Sequence, residues 1–347
     1  MINIINNSKD SYFNLALEEY FLKVKDLKED LLILWQNDPT IVIGKNQNTY
    51  EELNFDYVER NHIKVVRRMS GGGAVYHDSG NLNYTIIKND GNSYKNDFRF
   101  FALPVVSCLK KLGVDAIFNG RNDILIDGQK FSGNAQYFYN SKVLHHGTLL
   151  FSSDLSVLGK ALHVKGEKLE SKGIKSVKSR VTNIIDYVRE GVSLNNFQEN
   201  LKLSMFGENE EAINNYILTD EDVFLITQLK DSKYATWEWN FGESPKMTYQ
   251  KEIRTSAGSL TLTIEIKNGL IKKIRIYGDF FEAQPVEELE KIFTNKKFDK
   301  SEIESILNNI NISDYIHLLS NDDFEKLFFK IGEYGEFESF EKAASNI

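Results

Sequence analysis

Cysteine is nearly absent: among 347 residues Cys108 stands alone. A single cysteine excludes an intramolecular disulfide and fits a reducing compartment, which sets aside a disulfide-stapled secreted fold. No stretch approaches the ~18 consecutive apolar residues of a bilayer-spanning helix. Met1 to Asp10 is polar and asparagine-rich, without the cationic start and apolar stretch of a secretion signal, so a cytoplasmic location is expected. No set of His, Cys and carboxylate residues has zinc-type spacing, and no structural transition metal is expected. Basic residues are outnumbered, 42 against 50, for a formal net charge of −8. That balance argues against broad binding to nucleic acid or to anionic membranes. Internal repeats and low-complexity tracts are lacking too. Cations that meet an anionic ligand must then be concentrated locally, as they are at Arg67-Arg68 and across Lys175–Arg180.

Chemistry is most concentrated from Arg67 to Tyr84, where two arginines precede Met69, Ser70 and three consecutive glycines, Gly71, Gly72 and Gly73. Glycine removes the Cβ barrier, so the backbone can take positive φ and turn N–H groups toward an anion. The arginines add planar, permanently charged forks suited to carboxylate and phosphate oxygens. The competing reading is a floppy hairpin tip beside surface arginines. The Val65-Val66 approach and the alternating exit through Val75 favour an anion-binding loop.

Elsewhere the pattern predicts a helix over Asn14 to Lys25, with Glu18 and Glu19 on its outer side. Strands are expected at Leu31–Gln36, Thr40–Gly44, Lys64–Arg68 and Leu82–Lys88, and a short helix at Tyr57–Asn61. A helix over Phe98–Leu112 ends at Gly113. Strands follow at Ala116–Asn119, Asp123–Ile126, Gln129–Asn134, Gln136–Tyr139 and Lys142–Leu150. The Asp127-Gly128 turn places Lys130 just inside its strand. Helices are expected at Leu194–Met205 and Asp220–Leu229. Beyond a boundary between Tyr234 and Gln250 come strands at Lys251–Thr255, Ser259–Lys267 and Leu270–Gly278, the last two joined by an Asn268-Gly269 turn. Helices at Pro285–Phe293, Lys300–Asn308, Ile312–Leu319 and Asn321–Phe329 complete the pattern. The fold class is α+β: a large mixed-sheet domain over 1–245, a small α+β domain over 246–331 and a tail over 332–347.

The stretch Arg67-Arg68-x-Ser70-Gly71-Gly72-Gly73-Ala74-Val75-x-His77-Asp78-x-Gly80-Asn81-Leu82-Asn83 resembles the signature loop of the lipoate–protein ligases. Further blocks match in the family's order: Gly120 to Ile124, Lys130 to Ala135, His145 to Leu150, and Lys175 to Ile184, the last resembling an adenylate-binding loop. The similarity continues through Tyr234 to Gly242 and spans about residues 1–330. It implies a catalytic domain of the lipoate/biotin ligase type with a C-terminal accessory domain. The implied activity activates free lipoate with Mg-ATP to lipoyl-AMP and then acylates a lysine amine. The implied partners are lipoyl domains of 2-oxoacid dehydrogenase E2 subunits or the glycine-cleavage H protein.

Joining a carboxylate to the α-phosphate of ATP sets two anions against each other, so such an enzyme must supply positive charge and orientation. On the resemblance, Lys130 is the catalytic residue, bridging the attacking carboxylate and the phosphate. Arg67 or Arg68, with the Ser70–Gly73 backbone, would hold phosphate or acyl oxygens, and Asp123 would hold Mg²⁺ with Asn122 hydrogen-bonding nearby. Ala74, Val75, Asn81, Asn83, Gly133, Ala135, Gly147 and Thr148 join the lipoate and adenylate site. His77 shapes the glycine loop, and His146 lines the acyl tunnel or touches the dithiolane end. Ser176, Val177, Lys178 and Arg180 would close over the adenylate and shield it from water. Trp237 and Trp239 read as packing residues.

The rival activity is an ATP-independent lipoyl or octanoyl transferase. Octanoyltransferases of this broad fold use an activated cysteine, yet Cys108 sits in an apolar helical run and reads as a buried hydrophobe. The Gly-Arg-Gly-Arg loop of biotin ligases is absent. In the tail, Glu338-Ser339-x-x-Lys342-Ala343-Ala344-Ser345 is similar to the segment around the lipoylated lysine of H proteins, with one extra residue before the lysine. Lys342 is thus a candidate self-acceptor, against the plainer reading of an acidic terminal tail.

Overall fold

A computed structural model describes residues 1–47, 49–162, 180–240, 249–267, 270–298 and 300–328. The chain forms two compact units, Met1–Ser244 with Gly278–Phe281, and Pro245–Tyr277 with Glu282–Ile347.

The first unit is built on strands β1 (Ile2–Ile5), β2 (Leu31–Trp35), β3 (Thr40–Ile43), β4 (Lys64–Arg67), β5 (Val75–His77), β6 (Asn81–Lys88), β7 (Ala116–Asn119), β8 (Asp123–Ile126), β9 (Gln129–Tyr139), β10 (Lys142–Leu150) and β11 (Asn214–Ile217). Eight of them form a mixed sheet in the order β11-β1-β2-β6-β10-β9-β8-β7, and β4-β3-β5 form a small second sheet. Positive φ at Asp127 and Gly128 closes the β8–β9 hairpin, as a two-residue turn of this type requires. Gln129–Tyr139 is one unbroken strand, not two. Strand β11, which the sequence pattern does not signal, pairs in parallel with β1 at the sheet edge.

One face of the large sheet carries helices Phe98–Lys111 and Leu194–Met205, with Phe101, Val105, Leu109, Phe197 and Leu201 in its core. The other carries helix Ser11–Lys23, capped by the Asp10 carboxylate accepting from the Tyr12 N–H. That helix is apolar on nearly every side and therefore buried on nearly every side. Glu18 and Glu19 are consequently interior, contrary to the outer placement that the helical spacing suggests. Glu19 accepts from Lys233 and Tyr234, each at 2.6 Å. The 1 % exposed Glu18 carboxylate belongs to the site described next.

In the second unit, β12 (Tyr249–Thr255), β13 (Gly258–Lys267) and β14 (Leu270–Gly278) form an antiparallel sheet. Helix Val286–Phe293 packs with Leu289 and Phe293 buried, and its interior Glu290 accepts the Ile276 N–H at 2.9 Å and pairs with Arg275. Of the helix expected over Ile312–Leu319 only a 3₁₀ turn, Ile312–Asp314, forms. The Asn268-Gly269 turn lies outside the described residues. Among the described residues, no helix is long and apolar enough to cross a membrane.

Candidate active site

A cavity opens on the first unit. Register fixes part of its wall. Gly133 on β9 donates its N–H to Thr148 Oγ1 on β10 at 3.2 Å; Thr148 pairs with Asn83 on β6, and Asn83 with Trp35 on β2. All four line the cavity, as do Ala135 and its partner His146 in the adjacent row. Strands lie ~4.8 Å apart, so the row from Gly133 to Trp35 measures roughly 14 Å. Leu15, Val42, Arg68, Gly72, Gly73, Ala74, Val75 and His77 complete the lining from the helix and the small sheet, with Asn122, Lys130, Asn134 and Gly147 from the β8–β10 side.

Lys130 is placed by local irregularity. Ile124 pairs with Ser132 but Leu125 with Lys130, so Phe131 is the extra residue of a bulge, the device that re-aims a neighbouring side chain. A Cβ at Gly133 would lie 3.0 Å from both Cε and Nζ of Lys130, so the lysine stem crosses the glycine closely. Its ammonium meets Asp123, which pairs with Gly133 across the hairpin, at 2.8 Å. Beyond the 163–179 segment the chain returns beside this lysine, where the Thr182 N–H donates to the Lys130 carbonyl at 2.9 Å.

The two arginines are spent differently from the anion-holding role expected of them. Arg67 does not line the cavity; its guanidinium donates to the carbonyls of Gly44, Lys45, Gln47, Trp239 and Asn240 and to Thr49 Oγ1. Arg68 lines it yet is buried, donating to the Val42, Gly71 and Gly73 carbonyls and to Ser70 Oγ. Burial lowers the Arg68 pKa to about 10, which leaves it charged at neutral pH. The glycine loop is therefore a wound, interior structure and not a floppy tip. Gly72 takes φ +93°, and its N–H donates to the Phe280 carbonyl at 3.1 Å, so that group serves the fold. Gly71 is required by the same approach, since a Cβ there would sit 2.2 Å from Phe280 O.

A polar chain runs behind the loop. Ser70 Oγ meets His146 Nε2 at 2.6 Å, and His146 Nδ1 meets Glu18 at 2.9 Å. Glu18 also accepts from Thr85 Oγ1, which itself accepts the Trp35 indole N–H at 2.9 Å. His77 is held from the other side. Asn14 donates to Asn37 Oδ1, which turns the Asn37 amide nitrogen to His77 Nδ1 at 3.0 Å. That assigns the His77 proton to Nε2. Burial, with Arg68 and His146 nearby, lowers its pKa to about 3.

Of the residues expected in the site, Arg67, Ser70, Gly71, Asn81, Asp123 and Arg180 do not line the cavity, though Ser70 and Asp123 touch residues that do. Asn81 donates to Asn83 Oδ1, and Arg180 is exposed. Ser176, Val177, Lys178 and Lys342 lie outside the described residues. Leu15, Trp35, Val42, Asn134 and Glu18 are contributors that the motifs did not single out. Asn134 accepts from Tyr84 at 2.5 Å, and a Cβ at Gly147 would meet both of them, at 2.2 and 2.5 Å. Trp239 is a packing residue, its indole N–H donating to the Arg67 carbonyl at 2.7 Å. Cys108 sits in the core, its thiol pushed up to about 12 by burial, which is incompatible with an activated thiolate.

Residues 10–206 match the lipoyl protein ligase A/B catalytic domain and residues 244–328 the bacterial lipoate protein ligase C-terminus; the chain belongs to the lipoate–protein ligase family and is an enzyme of that class. Lipoate-protein ligase LplJ of Bacillus subtilis is 43% identical over 325 residues, 93% of this chain and 98% of that protein. Among solved structures, Plasmodium falciparum LipL1 in complex with lipoate superposes with a TM-score of 0.77 at 26% identity, covering 94% of this chain and 97% of its own. An ATP-bound lipoate-protein ligase A gives 0.59 at 28% identity over 70% of this chain and 98% of its own.

Proposed function

We propose that this enzyme activates free lipoate with Mg-ATP to lipoyl-AMP and pyrophosphate, then passes the lipoyl group to a lysine amine of a partner lipoyl domain or H protein. Residues 1–245 act as the catalytic domain and 246–331 as the accessory domain. The observation that carries this reading is the half-exposed Lys130 ammonium at the cavity, beside Asp123.

The first step needs charge stabilisation between two anions more than covalent chemistry. Lys130 is the mobile cation of the site: its ammonium bridges the attacking carboxylate oxygen and the α-phosphate, then stays on the mixed-anhydride carbonyl during aminolysis. Bound lipoate lies along the row from Gly133 to Trp35. That length exceeds an extended eight-carbon chain, which spans about 9 Å at roughly 1.2 Å per bond. Burial of each methylene there contributes ~0.8 kcal/mol. Arg68 holds the glycine loop against the acyl group, and Arg180 with the Ser176–Lys178 segment closes over the adenylate. Magnesium, when bound, neutralises triphosphate charge. The partly exposed Asp123 carboxylate would hold it, a single hard donor suiting an ion that completes its shell with water and phosphate oxygens.

The test is lipoate-dependent ATP–pyrophosphate exchange without acceptor. Exchange that requires magnesium and falls ~10²–10³-fold in Lys130→Ala supports the reading. Lipoyl transfer between proteins without ATP, and no exchange, would replace it with an ATP-independent amidotransferase.

A further inference from the structure

Most polar groups that line the cavity around Trp35 are satisfied within the protein. Trp35 donates to Thr85, His146 is bonded at both ring nitrogens, and Thr148 Oγ1 accepts from Gly133. Two donors are not. Asn83 is 1 % exposed and His77 is 3 % exposed; each lines the cavity, and Asn83 Nδ2 and His77 Nε2 have no hydrogen-bond partner among the described residues. Their other polar atoms are engaged, His77 Nδ1 by Asn37 and Asn83 Oδ1 by Asn81, in the amide assignment that makes Nδ2 the free atom of Asn83.

Their place along the cavity matters. Asn83 pairs with Trp35, and the His77 ring lies 5.9 Å from the Trp35 ring in an edge-on arrangement, so both mark the end of the row remote from Gly133 and Lys130. Two strand spacings, ~10 Å, separate Asn83 from Gly133. A buried donor left unmade costs the desolvation of that group, whereas a weak acceptor recovers part of it.

We infer that Asn83 and His77 form a two-donor subsite that reads hydrogen-bond acceptors at the distal end of the acid, selecting a sulfur-bearing ring over a hydrocarbon of the same length. This rests on the lipoate-ligase reading, with the carboxylate at Lys130. In that register a dithiolane sulfur, a weak but real acceptor, reaches the two donors, while an octanoyl chain covers them with methylenes and excludes the water that would serve them. A site that must hydrogen-bond its ligand discriminates against the analogue lacking the partner more strongly than an apolar pocket does.

The test is calorimetric binding to the full chain of lipoate, of octanoate, and of 5-cyclopentylpentanoic acid, which keeps the ring and chain but replaces both sulfurs by methylenes. Lipoate is expected to bind roughly 5- to 100-fold more tightly than the carbocycle, and Asn83→Leu to bring that ratio close to one. Equal binding of lipoate and carbocycle by the wild-type protein overturns the subsite and needs no variant. An unchanged ratio in a folded Asn83→Leu protein overturns it as well. Lipoate-dependent pyrophosphate exchange reports separately on the ligase reading, so exchange together with a ratio of one removes the subsite alone.

Discussion

The glycine loop and the β8–β9 hairpin both bring cations to the cavity, and they use them in opposite ways. Arg67 and Arg68 are wound into the protein, their forks filled by backbone carbonyls. Lys130 is partly exposed, 37 % at its side chain, and among the described residues its ammonium pairs with one carboxylate, that of Asp123. On the role proposed for Lys130, the difference separates holding a shape from meeting a ligand. Arginine has a rigid five-donor fork that can tie several strands of a loop together; lysine carries a compact charge on a flexible stem that can follow a reacting group. A cationic glycine motif thus need not touch phosphate to matter, since its first task here is to keep Gly71–Gly73 in one conformation.

The largest effect on stability should come from breaking the loop side. Arg68→Met strands the carbonyls of Val42, Gly71 and Gly73 in the interior, and the loss should be about 3–5 kcal/mol by urea unfolding. Arg68→Lys should recover little, because one ammonium cannot reach acceptors distributed around a planar fork. Full stability in Arg68→Met would show that the glycines hold themselves.

Two buried histidines extend the comparison to pH. His77 on the cavity side and His145, stacked on Phe101 at 4.4 Å in the core, are both kept neutral chiefly by burial, His77 near 3 and His145 well below its ordinary value. An unfolded chain protonates each near 6.5, so it binds more protons than the folded one below that pH. Stability should therefore be complete above pH ~6.5 and fall as pH drops toward 3, by up to about 1.4 kcal/mol per pH unit for each histidine. Urea midpoints measured from pH 7.5 to 5 check the slope, which His77→Gln should roughly halve. A flat profile would mean that these rings are hydrated in solution.

How much of this was legible in the residues depended on whether the signal was local. The Asp127-Gly128 turn, the strand carrying Lys130 and the Gly113 helix stop follow from backbone chemistry within a few positions, and all three formed. Glu18 was misplaced because a helical wheel assumes one wet face, and Ser11–Lys23 is enclosed on nearly all sides. Trp35, Val42 and Leu15 carry no motif; they enter the cavity through strand pairing and packing that only the assembled sheet defines. The carbonyl partners of Arg67 and Arg68 were not legible for a related reason. Residue type predicts what a guanidinium can bind, but the competing carbonyls of Gly44, Lys45 and Gln47 come from a distant stretch of sequence.

The smallest stability effect is expected at the residue proposed to matter most for turnover. The Lys130–Asp123 pair sits at 2.8 Å with both side chains more than a third exposed, where solvent screens the attraction and ordering two side chains opposes it. Lys130→Met keeps most of the stem that crosses Gly133 and should shift unfolding by no more than ~0.5–1 kcal/mol, while pyrophosphate exchange collapses. Set beside Arg68→Met, this is a crossed pair: one cation whose loss is read mainly in the urea midpoint, the other mainly in the rate. If Lys130→Met destabilised the protein as strongly as Arg68→Met, the hairpin lysine would be a structural tie like the loop arginines. A loss of exchange would then report on folding, and the mobile cation of the site would have to be sought in the Lys175–Arg180 segment.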